Sequence, residues 1–281
     1  MKKNTLFNAI IASAAGVAII ATGCARASER SNGDNSDGVK SIPFHSELLS
    51  ISKTYRGFNG SDSCSLTLSA FIDYPTAIGN ADIAPLQAAI KEAVFDKQSD
   101  KSIEAVMDSF ASEVDSYDLN IDPEIAGAPA NLDEINAYVT DMTLNRVAVN
   151  SKMVTYSLTD MRYLGGAHPM TFTRSFTYAI EQQQVLTLDN MFKPDEMDIV
   201  FSAVNQSLAS QYGVASGDLQ SAGFFQNSVG VPSLFSVING TIVFHYNPYD
   251  VAPYYMGAID VAVSPVMIED ALTPMAKDLL L

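Results

Sequence analysis

Apolar and polar residues alternate with a period of two in several segments of the chain, which is the pattern of strands that bury one face. These segments are also rich in Thr, Val, Tyr and Phe, which favour strands. The alternation predicts strands at 66–72, 139–149, 153–158, 171–180 and 259–263. A hairpin is predicted at 236–244, because Asn239 and Gly240 can both take the positive φ that a two-residue turn requires.

Apolar residues recur every three to four positions in other segments, and this spacing predicts helices. It is found at 86–94 and at 103–114. A third helix is predicted to begin at Pro194, which suits a first helical position, and a weak final helical turn is predicted around 266–271. Because the strands cluster and the helices are segregated, we expect an α+β fold. Its sheet is mainly antiparallel, with helices packed on one side, in one domain or two subdomains.

The N-terminus has the features of an export signal. Lys2 and Lys3 precede an apolar run that is too short to remain as a membrane-spanning helix, and this run leads to Ala-Thr-Gly-Cys24. A cysteine in that position resembles the bacterial lipobox, so we expect a lipoprotein signal peptide over 1–23 and acylation of Cys24. An ordinary signal peptide with a chance cysteine is the alternative. The predicted location is the bacterial cell envelope, and the outer membrane in a Gram-negative cell, because Ala25 is not the aspartate that retains lipoproteins in the inner membrane.

The remaining chain divides by composition. Residues 24–41 are polar and rich in Ser, Asn, Asp and Gly, which predicts a flexible tether. Prolines and a glycine within 117–131 predict an irregular connection, and we place a boundary near residue 130. An N-terminal α+β subdomain would then cover 42–130 and a C-terminal α+β domain 131–281, with one continuous fold as the alternative.

The charge of the chain limits its partners. The sequence has 32 acidic and 16 basic residues, for a net charge of −16. Such a chain repels phosphate backbones, so we expect no nucleic-acid binding, and it attracts basic partners. If Cys24 is acylated, Cys64 is left alone, which excludes an internal disulfide and a cysteine-based metal or redox site.

The sequence contains no strong catalytic or cofactor motif. Its three histidines, His45, His168 and His245, lack the spacing of a metal site, and no Gly-x-Ser-x-Gly or phosphate-binding glycine loop occurs. We therefore predict no metal and no cofactor, with a zinc site of His168, His245 and a carboxylate as an open alternative. On its strand His245 points away from Ile242 and Phe244, which predicts that it faces solvent or a second layer.

Two loops are the strongest candidates for a functional surface. In YLGGAHPM, residues 163–170, the glycines suit a tight turn between strands, while the histidine could also be presented by an active-site loop. The loop 247–257 carries tyrosines between prolines, which make a contact surface at low entropic cost or pack onto the sheet. The candidate binding residues are Tyr163, Gly165, Gly166, His168, Tyr249, Asp250, Tyr254 and Tyr255.

Three motifs in order, YLGGAHP at 163–169, LTLDNMF at 186–192 and YDVAPYYMG at 249–257, resemble a known pair of domains. They resemble the paired domains of unknown function in the ectodomain of lysozyme-sensing anti-sigma factors and in some peptidoglycan deacetylases. Leu164 departs from the small hydroxyl residue that is usual there. The resemblance implies a non-catalytic module without the deacetylase or sigma-binding parts. We therefore expect a lipid-anchored protein that binds lysozyme, another basic protein or a cell-wall glycan. The alternative is a peptidoglycan-modifying enzyme that uses His168 with a carboxylate.

Overall fold

The structure is a computed structural model that describes residues 42–59, 62–95, 100–114, 137–163 and 167–281. Its strands are β1 Phe44–Asn59, β2 Asp62–Ile78, β3 Ala137–Val149, β4 Met153–Tyr163, β5 Met170–Ala179, β6 Gln184–Val185, β7 Phe235–Ile238, β8 Thr241–Tyr246 and β9 Ile259–Val263. Its α-helices are α1 Ala84–Phe95, α2 Ile103–Val114, α3 Leu188–Met191, α4 Met197–Tyr212 and α5 Pro274–Leu280. Short 3-10 helices occur at Pro194–Glu196, Leu219–Ala222, Tyr254–Met256 and Pro265–Ala271.

The strands form two sheets. The first has six strands in the order β1-β2-β3-β4-β5-β6, and the second has three in the order β7-β8-β9. All neighbouring strands are antiparallel except β2 and β3, which are parallel. A parallel pair needs a long crossover, and α1 and α2 lie between these two strands in the sequence. The predicted α+β fold with a mainly antiparallel sheet is thus confirmed.

The described residues bury two apolar cores. The first lies between the six-stranded sheet and the helices α1 and α2, where Ile72, Leu86 and Tyr156 are fully buried. The second surrounds the three-stranded sheet and α4, and it also takes Met153 and Ala179 from β4 and β5. The domain boundary predicted near residue 130 falls outside the described residues. The six-stranded sheet continues from one side of it to the other, because β2 pairs with β3.

The two sheets are joined through hydroxyl groups. Val237 on β7 donates its N–H to Thr177 Oγ1 at 2.8 Å, and its carbonyl accepts from Thr155 Oγ1 at 2.6 Å. Because the single Thr155 proton goes to Val237, the Thr177 hydroxyl donates to Thr155 Oγ1 at 2.8 Å. Two of these bonds give both backbone groups of Val237 a partner where β7 is buried against β4 and β5, and the third joins the two threonines.

Most local predictions agree with the structure. Asn239 and Gly240 have φ of 51° and 74°, as the predicted hairpin turn requires, and α4 begins after Pro194–Glu196 and ends at Gly213. The weak helical turn predicted around 266–271 is present as a 3-10 helix, and α5 was not predicted. The signal peptide, Cys24, the tether, Gly165 and Gly166 lie outside the described residues. In the part of the chain that is described, no helix is both long and apolar enough to cross a membrane.

Candidate functional site

The two loops singled out in the sequence meet in space. The ring of His168 stacks on the ring of Tyr254, with centroids 3.8 Å apart and planes inclined by 18°. The Tyr254 hydroxyl also donates to the carbonyl oxygen of Pro169 at 2.8 Å, although the two residues are 85 positions apart in the chain. The Tyr249 ring lies 5.7 Å from the Tyr254 ring. We call His168, Tyr249 and Tyr254 the aromatic surface.

The aromatic surface is partly open to solvent, with Tyr254 half-buried. His168 is exposed, and Tyr249 keeps 52% of its accessible area. His168 Nδ1 lies 3.0 Å from the Pro169 carbonyl, and since a carbonyl only accepts, that nitrogen carries a proton. The contacts of His168 among the described residues therefore include a ring and a carbonyl but no carboxylate.

A single side chain ties the tyrosine loop to the first sheet. Asn247 accepts from the backbone N–H of Thr173 at 2.7 Å and donates to the carbonyl of Thr173 at 3.1 Å. Its own backbone N–H donates to Asp250 Oδ2 at 2.7 Å. Tyr249 sits in this turn with a φ of 72°, a strained value for a residue with a side chain. The loop conformation that presents Tyr249 is therefore fixed by β5.

Two of the remaining candidate residues, Tyr255 and Asp250, make other contacts. Tyr255 is 79% exposed, and its hydroxyl lies over Gly223, where an added Cβ would be 3.0 Å away. Asp250 holds the turn of its own loop through Asn247. Tyr163 is half-buried at the end of β4, opposite Val139. Gly165 and Gly166 are outside the described residues.

A buried carboxylate with two partly exposed arginine partners lies near the ends of β4 and β5. Asp160 on β4 is buried and accepts from Arg162 Nε at 2.9 Å, and Arg174 Nη2 on β5 lies 3.9 Å from the same carboxylate. The hydrogen bond with Asp160 raises the pKa of the Arg162 guanidinium. A buried carboxylate needs such partners; Arg162 pairs with Asp160 within β4, and Arg174 connects the same carboxylate to β5.

Within the described residues, no group of three His, Cys, Asp or Glu side chains converges as a metal site would require. The zinc alternative built on His168 and His245 therefore has no support there. His168 is held in the aromatic surface, and His245 is buried with other partners.

The partners of His245 form an arrangement that the sequence reasoning missed. Its Nε2 lies 2.8 Å from Ser236 Oγ, and its Nδ1 lies 2.7 Å from Asp260 Oδ1. Ser236 and His245 are buried, whereas the Asp260 side chain is 65% exposed. The three residues come from β7, β8 and β9, and we call them the Ser236–His245–Asp260 triad.

Strand register explains why these three meet. His245 pairs directly with Asp260 across β8 and β9, while Ser236 pairs with Val243, the same-face neighbour of His245. His245 was predicted to face solvent or a second layer; it lies on the predicted face of the strand, and it is buried there and not exposed to solvent. The turn at Asn239-Gly240 carried the missing signal, since a two-residue turn fixes the register that places Ser236 diagonally beside His245.

Comparisons with known proteins divide the chain into two matched segments. A family model described as deacetylase PdaC matches residues 65–171, and one described as protein of unknown function (DUF3298) matches residues 189–264. Both members of the domain pair that the three motifs resemble are therefore matched in this chain. His168 belongs to the PdaC segment and Tyr254 to the DUF3298 segment, so the aromatic surface forms where the two segments meet. The triad lies wholly within the DUF3298 segment.

Two curated relatives share part of the chain. The esterase Rv3036c of Mycobacterium tuberculosis is 29% identical over 119 residues, which are 40% of this chain and 48% of that protein. The peptidoglycan-N-acetylmuramic acid deacetylase PdaC of Bacillus subtilis is 25% identical over 138 residues, which are 46% of this chain and 29% of that protein. The chain thus spans less than half the length of either relative.

Solved structures share the fold. A DUF3298 family member from Bacteroides fragilis superposes with a TM-score of 0.65 at 18% identity, over 83% of this chain and 97% of that one. A DUF3298 family protein from Pseudomonas aeruginosa gives a TM-score of 0.54 at 17% identity, over 83% and 95%. At these identities the likeness establishes the fold alone.

Proposed function

We propose that this protein is an extracytoplasmic, envelope-associated binding protein whose aromatic surface takes a cell-wall glycan. The observation that carries the proposal is the stacking of His168 on Tyr254, which joins two distant loops into one exposed platform. Exposed rings offer an apolar face with a polar rim, and a sugar ring presents a matching apolar face bordered by hydroxyls. The PdaC relative, whose name gives peptidoglycan as its substrate, supports this class of ligand and the envelope location.

The lipid anchor belongs to the same proposal. A protein held to the membrane by an acylated Cys24 and a tether at 24–41 would keep its folded body within reach of the cell wall. The support for the lipid anchor is the sequence that ends at Cys24, because the names of the two relatives mention no anchor.

Glycan binding is tested with purified peptidoglycan and soluble muropeptides. We expect Tyr254→Ala to weaken binding by about tenfold or more, because it removes the central ring of the platform. Tyr255→Ala is the matched control, since Tyr255 is an exposed tyrosine of the same loop that lies apart from the aromatic surface. Equal affinities for the wild type and the folded Tyr254→Ala protein would refute the proposal.

A basic protein such as lysozyme is the second candidate ligand, and the net charge of −16 is the observation that favours it. Opposite charges accelerate encounter and make binding depend on salt. We expect lysozyme to bind at low ionic strength and to dissociate as salt is added. An absence of binding at low ionic strength would eliminate this partner.

The catalytic alternative with His168 has less to support it. This alternative pairs His168 with a carboxylate as an acid–base couple, and the contacts of His168 among the described residues include no carboxylate. The named relatives are enzymes, but this chain covers less than half of each. We therefore expect the wild type to leave peptidoglycan intact and His168→Ala to impair ligand binding alone.

A further inference from the structure

We propose that the Ser236–His245–Asp260 triad hydrolyses small acyl esters, with Ser236 as the nucleophile. The hydroxyl, imidazole and carboxylate stand in the order and at the distances of a serine hydrolase site, 2.8 Å from Ser236 Oγ to Nε2 and 2.7 Å from Nδ1 to Asp260. Three adjacent strands of one sheet supply them, so their geometry is held by the backbone ladder. This activity is separate from glycan binding at the aromatic surface.

The protons are arranged as nucleophilic catalysis requires. A carboxylate only accepts hydrogen bonds, so in the neutral form of the imidazole the ring nitrogen that faces Asp260, Nδ1, carries the proton. Nε2 is then an acceptor, and the Ser236 hydroxyl donates to it. Asp260 thereby fixes the tautomer in which His245 can remove the serine proton.

The reaction balances with water as the only co-substrate. Ser236 Oγ attacks the ester carbonyl while its proton passes to His245 Nε2, and the bond to the alkoxy group breaks as that group takes the proton and leaves as an alcohol. Water then attacks the acyl-serine and gives its proton to Nε2. The carboxylic acid leaves, and the Ser236 oxygen regains the proton from Nε2.

Burial limits the size of the substrate. Ser236 is buried beside Val237, whose backbone is bonded to Thr155 and Thr177 of the first sheet. An ester therefore reaches Ser236 Oγ only when β7 separates locally from β5, an opening of the kind that edge strands undergo. Short acyl esters such as acetates are the class that fits this access, and long-chain esters are not.

The test uses the full folded protein with a small fluorophosphonate and with p-nitrophenyl acetate. We expect a covalent adduct on the peptide that contains Ser236, absent in Ser236→Ala, and ester hydrolysis reduced by about 100-fold or more in that variant. Asp260→Asn should also slow hydrolysis and shift its pH profile, because it releases the tautomer. Ser175→Ala is the matched control, a buried serine bonded to Ser157 that lies outside the triad.

Several results would overturn the proposal. They are the absence of an adduct on Ser236 after prolonged labelling of the folded protein, and hydrolysis that is equal in wild type and Ser236→Ala. Loss of labelling in Ser175→Ala alone would also count against the triad. Ser236→Ala should bind peptidoglycan like the wild type, so failure of this proposal is distinguishable from failure of glycan binding.

Discussion

At the residue scale, two glycines with a positive φ differ in what opposes their substitution. Gly240 has a φ of +74° and open space where a Cβ would lie, so only backbone strain opposes a substitution there. At Gly79, with a φ of +52°, an added Cβ would also lie 3.0 Å from Ile42 Cγ1. Each glycine therefore has a conformational role, but only Gly79 also has a steric one.

We expect Gly240→Ala to lower the free energy of unfolding by about 1 kcal/mol, the usual penalty for a side chain in the left-handed region. Gly79→Ala should cost more, and the difference should disappear in an Ile42→Ala background, where the clash is absent. Urea unfolding of Gly240→Ala, Gly79→Ala, Ile42→Ala and the double variant Ile42→Ala/Gly79→Ala measures these free energies. Equal costs for the two glycines in the wild-type background would show that Ile42 moves freely.

The hydroxyl of Tyr74 is a second residue-scale feature with a measurable consequence. Burial, with additional effects from the charges of Glu104 and Glu47, raises its pKa to about 12. An unfolded tyrosine ionises near pH 10, so between about pH 10 and about pH 12 only the unfolded chain loses this proton. The contribution of the Tyr74 hydroxyl to the free energy of unfolding is complete below about pH 10 and is lost as the pH rises through the folded pKa.

We expect Tyr74→Phe to reduce the fall in unfolding free energy over that alkaline interval by about 1–3 kcal/mol, since the substitution removes the linked proton. Chemical denaturation at a series of alkaline pH values measures the slope for each protein. An identical slope in the variant and the wild type would mean that Tyr74 does not contribute to the alkaline transition.

At the scale of elements, two asparagine side chains each bond to both backbone groups of a residue that is distant in sequence. Asn205 on α4 bonds to both the N–H and the carbonyl of Val229, at 2.8 Å and 2.9 Å. Asn247 makes the same pair of bonds with Thr173 on β5. In each case one amide side chain satisfies two backbone groups that no strand reaches, and so connects a loop to a regular element.

We expect Asn205→Ala and Asn247→Ala each to lower stability by about 1–3 kcal/mol, because two backbone groups lose their partners. Asn205→Ala should have the larger effect, as it is the more deeply buried of the two. Only Asn247→Ala should also weaken glycan binding, since Asn247 fixes the loop that carries Tyr249. Thermal melts and peptidoglycan binding separate the two effects, and equal loss of binding in both variants would contradict this assignment.

At the scale of the whole molecule, the two sheets are connected by hydrogen bonds from Thr155 and Thr177 to the backbone of Val237. Their hydroxyls are the groups that hold the edge of β7 to β4 and β5. Replacing either by valine keeps the shape but leaves a buried backbone group of Val237 unpaired.

We expect Thr177→Val to lower the unfolding free energy by about 1–3 kcal/mol and to accelerate hydrogen exchange at the Val237 amide, which loses its acceptor. Thr155→Val is the matched control, because it removes the partner of the Val237 carbonyl instead. Unchanged exchange at Val237 in Thr177→Val would show that the hydroxyl is dispensable for joining the sheets.

Cellular placement is also a property of the whole molecule. We expect Cys24→Ser to move the protein from the membrane fraction to the soluble envelope fraction, because a serine cannot be acylated through sulfur. Fractionation with immunoblotting measures the distribution. A membrane-bound Cys24→Ser protein would show that another feature anchors it.

The sequence predicted much of this architecture, because local patterns determine local elements. Alternation located β4, β5 and β9, and Asn239-Gly240 located the β7–β8 hairpin. The parallel pairing of β2 with β3 could not be predicted, since no local signal states which distant strand lies alongside. The candidate loops were chosen separately from their composition and resemblance, and only the three-dimensional structure brings His168 onto Tyr254. The triad was missed because alternation gives the face of a residue, whereas its neighbours depend on register.

The parallel pair of β2 and β3 also has a consequence for the order of folding. The β1–β2 hairpin and the β3–β4–β5 meander join strands that are adjacent in sequence, so each can form from local contacts. Pairing Leu68 with Thr140 closes a far longer loop, which includes both α1 and α2. The chain loses the entropy of closing this loop before the contacts between β2 and β3 can form and offset the loss. We therefore expect the two local units to form early and the parallel ladder to complete the sheet in a slow final step. During that interval, the edges of β2 and β3 are open to pairing with other chains.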